Sequence, residues 1–174
     1  MQLIPVIDQM GIMEVVPHRP PKLLIDGITD LEEMSVEGFR DVSLEDCEGN
    51  VGAILPGGHM YEMLAQILSY RLLSFGRFRG FYAVPKQFRL KPLRPVFPGD
   101  HLILHVDIRA LKSSSSKGYA KGRGYVEGRL VFEASGGFRV MRPEVFEAMK
   151  QESMRQKEEM ATTARGILSL ATDM

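Results

Sequence analysis

The sequence predicts an α+β fold in which an antiparallel sheet wraps around one central helix, with a further helix appended at the C-terminal end. Residues 59–75 carry Met60, Met63, Leu64, Ile67, Leu68, Leu72, Leu73 and Phe75, so this helix is apolar around most of its circumference and belongs in a core. Two strand-like runs precede it and four follow it, unlike the strict strand–helix alternation of a parallel doubly wound sheet. From Pro143 the pattern changes to Glu, Lys, Gln, Arg and Met at helical spacing. The chain therefore divides into a sheet-and-helix domain, 1–141, and a helical extension, 142–174.

Each element has its own signal. A short helix is expected around residues 10–15. The apolar run Leu23-Leu24-Ile25 opens a first strand ending near Leu31, and a second strand covers 35–43. Pro56-Gly57-Gly58 breaks the chain before the central helix. Residues 82–91 form the next strand, bounded by Pro92, Pro95 and Pro98-Gly99-Asp100. Residues 101–109 alternate, with Leu102, Leu104, Val106 and Ile108 on one face and His101, His105, Asp107 and Arg109 on the other. Glu127-Gly128 is a two-residue hairpin signal between strands 118–126 and 129–141. Ala120, Gly122, Gly124 and Val126 share a face, and small residues there call for close approach by another element, the helix being the economical choice. Ser113 to Ser116 read as a hairpin loop.

Composition excludes several classes. Lys plus Arg (22) balances Asp plus Glu (22), so there is no overall field to hold a nucleic acid. One cysteine, Cys47, forms neither an internal disulfide nor a multi-cysteine metal site. No apolar run approaches the roughly 20 residues of a membrane span. The opening Met-Gln-Leu-Ile-Pro-Val-Ile-Asp has an acid where a signal peptide needs cations, so a cytoplasmic protein is expected. The charge is nevertheless uneven. From Asp26 to Glu48, ends included, stand nine acids and one base, Arg40; from residue 63 to residue 99 stand no acids and seven bases. Either the two blocks face each other, or the second is a surface for an acidic or phosphate-bearing partner.

One polar stripe interrupts the central helix. His59, Glu62, Gln66 and Ser69 are spaced by three, four and three and line up on one side. A carboxylate buried unpaired costs several kcal/mol, so the stripe either meets solvent or a base, or faces a cleft. His101 and His105 lie about 13 Å apart along a strand and read as a solvated face, not a metal site. Cys47 sits among acids that disfavour a thiolate, and Ser43 has no triad partner readable from spacing.

Three stretches together resemble the 3-hydroxyacyl-acyl-carrier-protein dehydratases of fatty-acid synthesis, a hot-dog-fold family. They are Val16-Pro17-His18-Arg19-Pro20-Pro21-Lys22-Leu23-Leu24-Ile25-Asp26, Leu55-Pro56-Gly57-Gly58-His59-Met60-Tyr61-Glu62-Met63-Leu64-Ala65-Gln66, and Lys86-Gln87-Phe88-Arg89 through Arg94-Pro95-Val96-Phe97-Pro98-Gly99-Asp100. They resemble the family's "LPHR-P-LL-D", "MPG…E-LAQ" and "K-F…RPV-PGD" segments, in order and over roughly residues 10–141. The resemblance implies loss of water from a (3R)-3-hydroxyacyl thioester carried on the phosphopantetheine of acyl carrier protein or coenzyme A, with no cofactor and no metal of the protein's own. It implies a homodimer with the site between subunits, and it leaves room for a higher assembly of dimers. Glu62 falls on the family's helix acid, and burial is expected to raise its pKa and make it a proton donor. Gly57, Gly58 and Gln66 are the implied substrate-binding positions. Arg77, Arg79, Lys86, Arg89, Lys91 and Arg94 become the expected docking surface for the carrier.

The chain departs from the family at one place. The histidine of "HFPG" stands eight residues before the proline of "MPG", and counting back from Pro56 reaches Glu48. His59, one turn before Glu62, is the histidine placed to substitute, while His18 reads as fixing its own turn. Three functions remain open: a dehydratase, a hot-dog acyl thioesterase using the helix carboxylate, and a non-catalytic subunit that binds acyl chains or their carrier.

Overall fold

The structure, a computed structural model, describes residues 6–74, 78–111 and 116–172, the span 163–172 in backbone only. It comprises two compact units, Met1–Val140 and Met141–Met174. The first contains β1 (Ile7–Asp8), α1 (Gln9–Met13), β2 (Gly27–Leu31), β3 (Ser35–Asp41), α2 (Gly57–Ser74), β4 (Tyr82–Pro92), β5 (His101–Leu111), β6 (Lys117–Val126) and nearly all of β7 (Arg129–Met141). The second contains α3 (Pro143–Thr172), with proline at its first position, where a missing N–H costs nothing. Along α3, Arg155 pairs with Glu152 at 3.0 Å and with Glu159 at 3.8 Å.

The seven strands form one sheet in the order β1-β2-β3-β5-β6-β7-β4. After β3 the chain leaves the sheet, runs through α2 and re-enters at the far edge as β4. It then returns to the centre, where β5 pairs antiparallel with β3. The alternation expected for β5 holds: Leu102, Leu104, Val106 and Ile108 are all buried. Pairing aligns Val36 with Val106, Gly122 with Val106 and Ala134 with Gly122, so rows of small and branched residues cross the inner face.

The close approach expected at the β6 glycines is real. A Cβ at Gly122 would lie 2.6 Å from Leu64 Cδ1 of α2, and one at Gly38 would lie 3.3 Å from Ile67 Cγ2. Gly124 makes room for a strand neighbour instead, since its Cβ would lie 2.2 Å from Cε1 of the Phe132 ring. At Glu127-Gly128 both residues have positive φ (50° and 72°), as a tight primed hairpin turn requires.

Three expectations are corrected. Leu23, Leu24 and Ile25 are buried but precede β2, which starts at Gly27. Their backbone is engaged elsewhere: Leu23 N–H bonds to Arg19 C=O, and Leu24 N–H donates to the Gln66 side chain. The first helix begins earlier, at Gln9, because Asp8 caps it by accepting from Gly11 N–H at 2.9 Å. The central helix begins at Gly57, with both glycines inside its first turn. Ser113, Ser114 and Ser115 of the serine loop and Phe75 lie outside the described residues, whereas Ser116 is described.

Because Phe132 is fully buried, its ring has little room to move aside. Gly124→Ala should therefore destabilise the fold by about 1–3 kcal/mol, read as a lower urea midpoint at an unchanged slope.

Candidate active site

Pro56 sets the start of α2, its carbonyl accepting from His59 N–H at 3.0 Å and from Met60 N–H at 3.1 Å. The N–H groups of Gly57 and Gly58 precede that ladder and point along the positive end of the helix. Gly57 packs close to β4, where a Cβ would lie 3.1 Å from Leu90 Cδ2, whereas nothing stands within 4 Å of one at Gly58.

One turn further in, Glu62 is half-buried and held from two sides. His18 Nε2 lies 3.2 Å from Glu62 Oε1, and Gln66 Nε2 donates to the same oxygen at 3.1 Å. Glu62 Oε2 has no partner among the described residues. The polar stripe is thus divided. Gln66 and Ser69 are buried, at 0% and 7% exposure, while His59 and Glu62 reach the surface of the unit. Gln66 is not presented to a substrate as expected. Its Oε1 accepts from Leu24 N–H at 2.9 Å, and its Nε2 donates to Lys22 C=O at 2.8 Å as well as to Glu62, so both amide hydrogens are engaged within the protein. It acts as a clamp.

The expected rise in the Glu62 pKa is also overturned. The hydrogen bond from His18 lowers it most; burial pushes upward, but the Gln66 bond and the electrostatic pull of the His18 and His59 rings add to the lowering. The carboxyl lies below its ordinary 4.5 and is an anion near neutral pH. Burial and that anion together raise the neighbouring Tyr61 phenol.

His59 Nδ1 lies 2.8 Å from the carbonyl oxygen of Asp46, an arrangement that puts the ring hydrogen on Nδ1 and leaves Nε2 as an acceptor. Asp46 sits in a short 3₁₀ turn, Glu45–Cys47, and is itself anchored. Arg40 grips its carboxylate with Nε at 3.0 Å and Nη2 at 2.9 Å, and Ser43 N–H and Oγ add bonds at 2.8 and 3.0 Å. The third guanidinium arm reaches Asp26 at 2.8 Å. Burial pushes the Asp46 carboxyl up, but the Arg40 and Ser43 bonds outweigh it and leave it below its ordinary 3.8. Glu48, at the position of the family histidine, is exposed at the end of this turn. Cys47 is buried, and burial with Asp46 and Asp100 pushes its thiol up, so it is no nucleophile.

Two of the residues expected to dock a carrier, Arg89 and Lys91, share one groove. Arg79, Lys86, Arg89, Lys91 and Arg94 are exposed, and Arg77 lies outside the described residues. Arg89 and Lys91 line a groove of about 460 Å³ together with Lys121, Arg123, Glu133 and Ser135. Lys121 and Arg123 were not legible as partners from sequence, because only the order β6-β7-β4 brings them within one strand of β4. The acidic and basic blocks meet at Arg71, whose guanidinium donates to the Glu32 and Glu33 carbonyls. On the outer face of β5, His101 bonds Asp41 at 2.6 Å and His105 bonds Asp107 at 3.1 Å. No group of three or more metal-ligating side chains comes together among the described residues.

No family model matches the chain. Among curated proteins it is 33% identical over 134 residues to 3-hydroxyacyl-[acyl-carrier-protein] dehydratase FabZ of Caldicellulosiruptor saccharolyticus, covering 72% of this chain and 93% of that one. To the FabZ of Clostridium botulinum it is 36% identical over 133 residues, covering 71% and 91%. The chain belongs to the FabZ dehydratase family. Among solved structures, the dehydratase heterocomplex ApeI:P from Xenorhabdus doucetiae superposes with a TM-score of 0.64 at 14% identity, over 85% of this chain and 98% of that one. The hot-dog fold expected from sequence is borne out, and the function is 3-hydroxyacyl-dehydratase-like. Glu48 stands where the resemblance implies a histidine, and His59 is anchored on the turn that precedes it.

The Asp46 anchor has a pH signature. A carboxyl depressed in the fold contributes stability that is fully present above its ordinary 3.8 and is lost as pH falls through its lower folded value. Asp46→Asn should cost about 2 kcal/mol near neutral pH, and its deficit against the parent should shrink as pH drops below about 3.8. Urea titrations at a series of pH values measure both.

Proposed function

We propose that the chain is a cytoplasmic hydro-lyase that dehydrates a (3R)-3-hydroxyacyl thioester of fatty-acid or related acyl synthesis, carried on acyl carrier protein. The observation that supports it most is Glu62, held as an anion one turn inside a glycine-opened helix and flanked by His59. Glu62 Oε2 takes the α-proton and passes it to the departing 3-hydroxyl. The C–H and C–O bonds break, the C=C bond forms, water leaves, and the carboxylate is restored. His59 Nε2, with its ring fixed by the Asp46 carbonyl, accepts the hydrogen of that hydroxyl and turns its oxygen toward Glu62. The Gly57 and Gly58 N–H groups polarise the thioester carbonyl, which the open backbone at Gly58 can admit. Compared with what the resemblance implied, the acid position becomes the base.

Incubation with a 3-hydroxyacyl thioester, following enoyl absorbance and free thiol together, tests this reading. Enoyl signal is expected. Thiol release alone would mean a thioesterase, and silence with measurable binding would mean a subunit that only holds acyl chains or their carrier. Glu62→Gln should fold and lose at least about 10²-fold in turnover, and His59→Ala should lose a comparable factor.

The carrier reads the groove of Arg89, Lys91, Lys121 and Arg123 through its acidic surface and phosphate. Affinity should fall as salt rises to physiological levels, and reversing Arg89 and Lys121 to glutamate should remove most of that dependence. Titrations of the carrier at several ionic strengths measure it. The dimer forms through β4, an 11-residue strand at the edge of the sheet. Light scattering at micromolar concentration should give twice the chain mass of 19.5 kDa.

A further inference from the structure

We infer that His18 is the positioning residue for Glu62, an imidazole that donates Nε2–H to Oε1 and leaves Oε2 as the reacting oxygen. The inference rests on the dehydratase reading for its chemical use but not for its geometry. His18 comes from the segment before β2, 44 residues from Glu62, and its Nε2 stands 3.2 Å from the carboxylate. Its other ring nitrogen, Nδ1, is buried with no hydrogen-bond partner among the described residues.

That pairing selects one form of the ring. A hydrogen on Nδ1 alone would bury an N–H without an acceptor and turn a lone pair toward an anion. Hydrogens on both nitrogens would again bury the Nδ1 N–H, at about 1–3 kcal/mol. A hydrogen on Nε2 alone pairs the donor with Glu62 and buries only a bare lone pair. The hydrogen positions follow from the surroundings of the two nitrogens.

The geometry also divides the carboxylate. Oε1 receives two hydrogen bonds, from His18 and Gln66, and Oε2 receives none among the described residues. Two donors on one oxygen fix the carboxylate plane and stabilise the anion, so the base is ready before substrate arrives. The titratable groups facing Glu62 are His18, and from its own helix His59 and Tyr61. Of these only His18 bonds the carboxylate directly. The opening motif, which reads in sequence as a turn, thus supplies a part of the site.

Two measurements test this without relying on turnover. In ¹⁵N NMR of the unaltered protein, His18 Nε2 should show a protonated ring-nitrogen shift and Nδ1 an unprotonated one; the opposite pattern overturns the inference. In ¹³C NMR with labelled glutamate, Glu62 being assigned through Glu62→Gln, His18→Ala should move the Glu62 titration upward. His18→Gln, whose Nε2 replaces the imidazole donor, should bring it back toward the original value. An unmoved titration in a folded His18→Ala protein, or no recovery in His18→Gln, reduces His18 to a turn residue. Where enoyl formation is measurable, the acid limb of kcat/KM should follow the same order, with activity above that limb changed much less. Should no enoyl form, the dehydratase reading fails while the two titrations still decide the role of His18.

Discussion

Gln66 lies at 0% exposure in the middle of the helix that the sheet encloses, and its amide joins Glu62, one turn away on that helix, to the distant segment at Lys22 and Leu24. A buried amide without partners costs about 1–3 kcal/mol, and here it has a partner for Oε1 and for both Nε2 hydrogens: Leu24 N–H, Lys22 C=O and the Glu62 carboxylate. The consequence reaches in both directions. The segment before β2 cannot continue as a strand, because its backbone is committed to the helix. Glu62 cannot swing freely, because one oxygen is tethered from the turn below. The same constraint therefore shapes an element boundary and the orientation of a reactive group.

A second network carries the other half of the site. Arg40, on β3, holds Asp46 and Asp26 together, and the turn so fixed presents a backbone carbonyl to His59. The resemblance implies a histidine side chain at this stretch; here the stretch offers a main-chain oxygen to a histidine on the helix. Glu62 and His59 are then steered from separate directions, one by the opening motif and one by the ion-paired turn.

Much of the architecture was legible because hydrophobic period reports burial directly. The apolar helix, the alternating β5 and the small-residue face of β6 each follow from one rule about which side meets the core. The Leu23-Leu24-Ile25 run misled for the converse reason: it is as buried as a strand, but a side-chain amide takes its hydrogen bonds, and periodicity says nothing of where backbone donors go. Glu62 and His59 were legible as a stripe. The sign of the Glu62 shift was not, since it depends on His18, whose ring reaches the carboxylate only after residues 18–26 fold against α2. Lys121 and Arg123 stayed hidden because strand order, not sequence distance, puts them in one groove with Arg89 and Lys91 across β7.

The hydrogen-sized gaps under α2 tie two kinds of change together. Gly122 beneath Leu64 and Gly38 beneath Ile67 let the helix side chains approach the sheet closely. A side chain added at either glycine would press on Leu64 or Ile67 of the helix that carries Glu62, and at Gly38 also on the Gly27 carbonyl. Drift on this face of the sheet is thus drift in the chemistry as well, and the positions are free to vary only as matched pairs, a gain of volume in the strand answered by a loss in the helix.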